Sequence, residues 1–181
     1  MKGLSLPDKV VAIDVALAGV PHAFGGALAL AYWAEPRSTI DIDINVFVPP
    51  DQSAEVLDPL AALGADVEGM ADVIRANGQA RVLWGDTPID LFFAYDAFHV
   101  AAEVGAVEVP FAERTIRVLS PDHLTVCKVV FDRPKDWIDI EAMITAGTPI
   151  TAAEVMRWVG RLAGDDDPRY ERIATVLSAT G

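Results

Sequence analysis

Residues 25–43 combine a glycine pair, a short apolar helix and a strand that carries two aspartates. Gly25 and Gly26 follow a short strand at 22–24 and precede an apolar run that ends at Glu35-Pro36. A glycine pair at such a place permits a tight turn with positive φ. It also suits a bound phosphate, because the N–H groups and dipole at a helix N-terminus favour negative charge. Both interpretations predict a strand–turn–helix unit here.

The strand predicted over 40–48 begins with strict alternation of apolar and polar residues. Its inner face is formed by Ile40, Ile42 and Ile44. Its outer face is formed by Asp41, Asp43 and Asn45. Because Asp41 and Asp43 are two residues apart, they project from one face, roughly 6–7 Å apart along the strand. That spacing would let them hold one or two divalent ions. The alternative is a solvated polar face of a half-buried strand.

Two further charges lie in apolar surroundings. Asp90 interrupts the apolar strand 89–93, where a carboxylate must be paired, metal-bound or at a cleft because a lone buried charge is costly. Its alternative is a charge that protects an edge strand from aggregation. Lys128 lies on a helix whose neighbours are nearly all apolar, so it either reaches the surface or faces an anionic ligand.

Composition narrows the classes of function. The 181 residues carry a net charge of −13, which counts against a large nucleic-acid footprint because phosphate contacts need many basic residues. The apolar runs are shorter than the roughly 20 residues that cross a bilayer, and the N-terminus lacks the pattern of a signal peptide. The single cysteine, Cys127, suits a reducing compartment. We therefore expect a cytoplasmic protein without membrane attachment.

The order of elements predicts an α/β (α+β) fold whose mixed sheet is flanked by helices and followed by a helical segment. A hairpin is expected around the turn 84–87, between strands at 79–83 and 88–94. From Ser120-Pro121, a strong N-cap followed by proline, the pattern becomes helical. The helices are expected at 121–132, 135–145, 151–163 and 167–178. We therefore expect an α/β core at 1–119 and a helical subdomain packed on it at 120–181.

At this point the motifs resemble a known family, the nucleotidyltransferase-fold proteins of the AbiEii type. These include toxins of bacterial toxin–antitoxin pairs, and the minor and antibiotic nucleotidyltransferases are more distantly similar. The resemblance covers about residues 20–145. It is carried by Gly25-Gly26, Arg37-x-Thr39-x-Asp41-Ile42-Asp43, Ile89-Asp90-Leu91, Lys128 and Arg133-Pro134-Lys135-Asp136-Trp137-Ile138-Asp139-Ile140.

The resemblance implies a polymerase-beta-like nucleotidyltransferase fold and a role for each matching residue. Asp41 and Asp43 would bind Mg²⁺, with two ions expected, and Asp90 would complete the metal site or accept the proton of an attacking hydroxyl. Lys128 would stabilise charge developing on the phosphates. The nucleotide, an NTP, would be bound by Gly25, Gly26, Arg37, Thr39 and Lys128. For Arg37 the alternative is a surface ion pair with Glu35.

The segment around Asp136 and Asp139 has two interpretations. These residues are at i and i+3 and share a helical face with Lys135, so they could form a surface ladder of ion pairs. In the family's pattern they would instead anchor Lys128 or Arg133 in the site. Arg133, Lys135, Asp136 and Asp139 are therefore candidate site residues.

The expected reaction is Mg²⁺-dependent transfer of a nucleoside monophosphate to an acceptor hydroxyl. The resemblance implies a tRNA 3′ end or a protein as acceptor, with the chain acting as a toxin that an antitoxin protein binds. The alternatives are transfer to a small antibiotic, and a non-catalytic nucleotide-binding regulatory protein of the same fold.

Overall fold

The computed structural model describes residues 4–178. Its strands are β1 (His22–Phe24), β2 (Ile42–Val46), β3 (Gln79–Trp84), β4 (Thr87–Phe93), β5 (Val107–Phe111) and β6 (Arg114–Val118). Its helices are α1 (Leu6–Ala16), α2 (Gly26–Trp33), α3 (Ala54–Ala62), α4 (Met70–Asn77), α5 (Ala97–Gly105), α6 (Pro121–Phe131), α7 (Pro134–Thr145), α8 (Ala152–Ala163) and α9 (Pro168–Ser178). A short 3₁₀ turn, Pro50–Gln52, precedes α3.

The strands form one mixed sheet in the order β3-β4-β2-β1-β6-β5. β2 runs parallel to β4 and antiparallel to β1, and β1 runs parallel to β6. β3 and β4 form the predicted hairpin, and β5 and β6 form a second one. The expectation of a mixed sheet with helices is confirmed.

Contacts within the chain group it into two compact units. The first comprises the chain up to Leu28 and Ser38–Val118, and it contains all the strands named above. The second comprises Ala29–Arg37 and the chain from Leu119. Segment 29–37 is therefore grouped with the C-terminal helices, an assignment that a single division after residue 119 does not make.

In the first unit, β2 and β4 supply buried apolar side chains on the face of the sheet opposite Asp43 and Asp90. Ile42 and Ile44 lie in register with Ile89 and Leu91, and all four are at most 2% exposed. Apolar side chains at every second position therefore pack on one face, as the alternation predicts.

Two positions of the predicted β2 pattern are wrong. Ile40 is 75% exposed, because the ladder begins only at Ile42 and no neighbouring strand covers the residue before it. Asn45 is buried at 7% although it was expected on the outer face. It pairs with residues of both β1 and β4, so this part of the strand lies inside the sheet rather than at its rim.

The second unit is built from α6 to α9, with α6 in contact with α7, α8 and α9. Ser120 caps α6 by accepting a hydrogen bond from the His123 N–H, as the sequence predicts for a serine before proline. In the same unit Trp33 Nε1 donates to the Leu119 carbonyl at 2.9 Å, which ties the end of α2 to the chain before α6.

Several elements differ from the sequence expectation. Helix α5 was not expected, although Asp96 caps it by accepting from the Phe98 N–H at 2.9 Å. The sequence predicts one helix from Pro50 to about Leu63, but the structure has the 3₁₀ turn followed by α3. The sequence also predicts a helical segment over 67–77, but α4 begins only at Met70, after Gly69 adopts φ 72°. None of the helices within residues 4–178 combines the length and the apolar character that crossing a bilayer requires.

Candidate active site

Three carboxylates of the first unit lie on or directly before two adjacent strands. Asp43 on β2 is the direct register partner of Asp90 on β4, and neighbouring strands are about 4.8 Å apart. Asp41 lies just before β2, two residues from Asp43. All three are partly accessible, and the Asp90 side chain is 16% exposed. We call Asp41, Asp43 and Asp90 the carboxylate cluster.

The glycine pair packs directly against Asp43. Gly25 N donates to the Asp43 carbonyl at 2.9 Å. Gly26 has φ 51°, and a Cβ at this position would lie only 1.8 Å from Asp43 Oδ2. A side chain at residue 26 would therefore collide with the carboxylate, so the sequence needs glycine for close approach as well as for positive φ.

Thr39 orients the first aspartate. Its hydroxyl donates to Asp41 Oδ1, and the Asp41 N–H donates to Thr39 Oγ1 at 3.4 Å. These local bonds hold the Asp41 carboxylate in one direction. In this structure the predicted nucleotide-binding threonine thus contacts an aspartate of the cluster.

Arg81 binds the third aspartate, and the sequence motifs did not point to it. Its Nε and Nη2 donate to the two oxygens of Asp90, each at 2.6 Å, across the β3–β4 hairpin. The hydrogen bond to Asp90 and the charges of Asp90, Asp41 and Asp43 raise the pKa of Arg81. A signal for this contact exists, because a two-residue turn at 85–86 pairs position 81 with position 90.

The interpretation of Asp90 as the guard of an edge strand is wrong. β4 lies between β3 and β2, so it is an interior strand. A carboxylate at this place needs a partner, which is why the arginine of the neighbouring strand faces it.

The carboxylates of the cluster fit a Mg²⁺ ion that is bound jointly by the protein and a ligand better than one bound by protein side chains alone. Among residues 4–178, no three His, Cys, Asp or Glu side chains converge so as to hold a metal ion by themselves. Mg²⁺ commonly uses one or two carboxylates and completes its shell with water and phosphate oxygens. Asp41 and Asp43 supply such carboxylates, and the missing side chain of Gly26 lets the Asp43 carboxylate lie directly against the glycine turn. The assignment of Asp90 as a further ligand stays a prediction.

A second charged cluster lies in the second unit around Asp139. Lys128 Nζ lies 2.6 Å from Asp139 Oδ2 and 3.8 Å from Asp136 Oδ1. Arg37 donates through Nε and Nη2 to both oxygens of Asp139, each at 2.9 Å. Burial by itself would raise the pKa of Asp139, but the hydrogen bonds and charges of Arg37 and Lys128 hold it below its ordinary value.

Asp136 is the other buried acid of this cluster. Arg133 donates to it through Nε at 2.7 Å and Nη2 at 3.1 Å. The interpretation of Asp136 and Asp139 as a surface ladder is wrong, because both are almost fully buried. Lys135 is exposed at the start of α7.

Lys128 is buried, whereas Arg37 is exposed and reaches a buried partner. Lys128 is 4% exposed and does not extend to the surface. Arg37 forms an ion pair with Asp139, 102 residues away in the chain. Both basic side chains are thus directed by α7, an element that local sequence patterns around residues 37 and 128 do not reveal.

Known structures share this fold. Over 94% of both chains, the solution structure of the antibiotic-resistance factor ANT(2'')-Ia matches with 18% identity and a TM-score of 0.61. A crystal structure of ANT(2'')-Ia with adenylyl-2''-tobramycin gives 18% identity and a TM-score of 0.59 over 86% of this chain and 95% of that one. The crystal structure of the lincosamide antibiotic adenylyltransferase LnuA, bound to lincomycin, has 13% sequence identity and a TM-score of 0.53. The match covers 80% of this chain and 99% of that one. These similarities confirm the nucleotidyltransferase fold.

The family follows from the sequence match. No curated protein sequence matches the chain. The family described as nucleotidyl transferase AbiEii toxin of type IV toxin–antitoxin systems matches residues 17–177, which include all the predicted site residues. The resemblance seen in the motifs is therefore confirmed, and the chain belongs to the AbiEii nucleotidyltransferase family.

Proposed function

We propose that this chain transfers a nucleoside monophosphate from an NTP to an acceptor hydroxyl with Mg²⁺ bound at Asp41 and Asp43. The observation that carries the proposal is the contact between the glycine turn and the aspartate strand. A Cβ on Gly26 would lie 1.8 Å from Asp43 Oδ2, so backbone and carboxylate meet without an intervening side chain. A triphosphate and the cation that neutralises it need such a juxtaposition of N–H groups and carboxylates.

In this reaction the bound Mg²⁺ and Asp90 would have separate roles. Bound Mg²⁺ would neutralise phosphate charge and orient the reacting oxygens. The acceptor oxygen forms a bond to the α-phosphorus, the bond from that phosphorus to the bridging oxygen breaks, and pyrophosphate leaves. Asp90 is available either as a further cation ligand or as the acceptor of the hydroxyl proton, and the hydrogen-bonded pair with Arg81 affects both roles.

The roles of the second cluster rest on the family pattern. Lys128, the lysine that matches the family's later lysine, is proposed to stabilise negative charge on the phosphates. Asp139 holds the lysine ammonium and the Arg37 guanidinium at hydrogen-bonding distance. Asp139 would thus act as a positioning residue, and Asp136 would do the same for Arg133.

We propose a macromolecular acceptor, a tRNA 3′ end or a protein hydroxyl, and a toxin role in the cytoplasm. The family match supports this choice because its description names a toxin of a toxin–antitoxin system. An antitoxin protein is the proposed partner. Transfer to an antibiotic, as the names of the structural neighbours suggest for those proteins, is the other outcome that an experiment must distinguish.

The test incubates the purified chain with each α-labelled NTP, Mg²⁺ and a total cell lysate, then separates RNA, protein and small molecules. The Asp41→Asn/Asp43→Asn variant is compared with wild type. As a matched control, Asp58→Asn/Asp72→Asn removes two carboxylates from exposed helix positions. Label that depends on Asp41 and Asp43 but not on the control pair supports nucleotidyl transfer, and the labelled fraction identifies the acceptor class.

Other outcomes reject parts of the proposal. Equal labelling by the Asp41→Asn/Asp43→Asn variant would reject the aspartate site. Label found only in small molecules after addition of aminoglycoside or lincosamide would reject the macromolecular acceptor. NTP binding that depends on Asp41, without labelling of any fraction, would favour the non-catalytic regulatory protein.

A further inference from the structure

Arg81 lies in line with two aspartates across three neighbouring strands. It is the register partner of Asp90 on β4, and Asp90 is the register partner of Asp43 on β2. Register partners in a sheet project from the same face. The three side chains therefore form a row across the strands on one face of the sheet, and the Arg81 guanidinium lies at the outer end of that row.

The two hydrogen bonds between Arg81 and Asp90 are both short. Arg81 Nε and Nη2 lie 2.6 Å from Asp90 Oδ1 and Oδ2, the forked geometry that suits a guanidinium and a carboxylate. Arg81 thus balances part of the negative charge that a divalent cation would otherwise neutralise.

The arginine can leave without disturbing the core. Its side chain is 57% exposed, whereas the Asp90 side chain is 16% exposed. β3 is an edge strand of the sheet, so Arg81 lies beside solvent. An ion pair with one exposed partner is weaker than a fully buried one, because water competes for the exposed charge. A divalent cation at Asp41 and Asp43 can therefore displace Arg81 from Asp90.

We propose that Arg81 is the resident counter-cation of the carboxylate cluster. Its guanidinium holds Asp90 in the free protein, competes with a divalent cation for that carboxylate, and so lowers cation affinity until the cation displaces it. The inference rests on the proposed metal site at Asp41 and Asp43. It makes Arg81 a positioning residue that controls when Asp90 becomes available, rather than a group that acts on the substrate.

The test measures binding of Mn²⁺ alone to the full chain, by the loss of the electron paramagnetic resonance signal of free Mn²⁺ at low ionic strength. We expect Arg81→Gln to bind Mn²⁺ roughly five-fold more tightly than wild type, the ratio that corresponds to about 1 kcal/mol. Arg81→Lys keeps the charge but loses the fork, so its affinity should lie between the two. Added salt should shrink all these differences.

Controls separate competition for Asp90 from a general charge effect. Arg75→Gln removes an equally exposed arginine whose partner is Asp72 on α4, and it should leave Mn²⁺ affinity unchanged. In an Asp90→Asn background, Arg81→Gln should no longer raise the affinity, since the contested carboxylate is neutral. Urea unfolding of each variant verifies that it is folded.

Unchanged or weaker Mn²⁺ binding by folded Arg81→Gln would overturn the inference and leave the metal site intact, provided that wild type binds Mn²⁺ through Asp41 and Asp43. An equal gain in the Asp90→Asn background would also overturn it. Absence of Mn²⁺ binding in wild type and in every variant would instead reject the metal site of the proposed function, and the inference with it.

Discussion

Lys128 Nζ donates to Asp139 Oδ2 at 2.6 Å, and both side chains are almost excluded from solvent. Asp139 also accepts a forked pair of hydrogen bonds from Arg37, so one buried carboxylate compensates two cations. A buried ion pair is weak evidence of net stabilisation, because desolvation opposes the attraction. Removing Asp139 is different, since Lys128 stays buried and keeps only the more distant Asp136, 3.8 Å away.

Asp139→Asn should therefore be strongly destabilising. Lys128 and Arg37 would lose the negative charge that they share, and we expect the free energy of unfolding to fall by about 3–5 kcal/mol. Urea denaturation at pH 7 measures this loss. The control Asp72→Asn removes a surface acid that pairs with Arg75 and should change the free energy by less than about 0.5 kcal/mol. Equal effects of the two substitutions would contradict the role of Asp139.

The ion pairs of Asp139 with Lys128 and Arg37 also predict that the stability of the fold depends on pH. The pKa of Asp139 is lowered in the folded chain, so its stabilising contribution is complete above the unfolded carboxyl value of about 3.9. Below that value the unfolded chain binds the proton first, and the contribution is lost as pH falls towards the folded pKa. Urea midpoints from pH 7 to 3 should show the difference between wild type and Asp139→Asn shrinking below about pH 4. A difference that is constant over this range would count against the lowered pKa.

Gly26→Ala should disable the carboxylate cluster. Alanine at φ 51° is strained by about 1–2 kcal/mol, and its Cβ would displace Asp43 Oδ2, which lies 1.8 Å from the ideal position. Gly69→Ala is a matched control, because Gly69 has φ 72° and nothing within 4 Å of the added Cβ. Both variants should lose the stability that the positive φ costs alanine, and Gly26→Ala should lose more in urea because of its clash with Asp43.

Only Gly26→Ala should lose function. A displacement of about 1 Å at a reacting group can cost on the order of 100-fold in rate, so labelling from an α-labelled NTP should fall by about that factor. Mn²⁺ binding should weaken in parallel. Full activity of Gly26→Ala would show that the close approach to Asp43 has no functional purpose.

Lys128→Met should separate activity from stability. Each neighbouring carboxylate keeps an arginine, Arg37 on Asp139 and Arg133 on Asp136, so unfolding should be affected less than by Asp139→Asn. If Lys128 stabilises phosphate charge, kcat should fall by roughly 10²–10³. Arg75→Met, at an exposed position of α4, provides the comparison in steady-state kinetics. A kcat for Lys128→Met that equals that of Arg75→Met would assign Lys128 a purely structural role.

Local patterns in the sequence determined much of the scaffold. The alternation at Ile42 and Ile44 predicted the core face of β2, the turn 84–87 predicted the hairpin, and Ser120-Pro121 predicted the start of α6. These signals work because strand alternation, turn conformation and helix capping depend on residues within a few positions of one another. They also brought the two aspartates and the glycine pair to attention.

The tertiary structure alone decided which charges meet. Arg37 binds Asp139 across 102 residues, and the exposure of Ile40 and the burial of Asn45 depend on which strands lie beside β2. The chain contains many residues of opposite charge to any given side chain, and that side chain pairs with the one that packing brings within about 3 Å. That choice depends on how the elements pack, and so the partner of Arg37 became known only from the fold, whereas the turn of the β3–β4 hairpin already pairs position 81 with position 90.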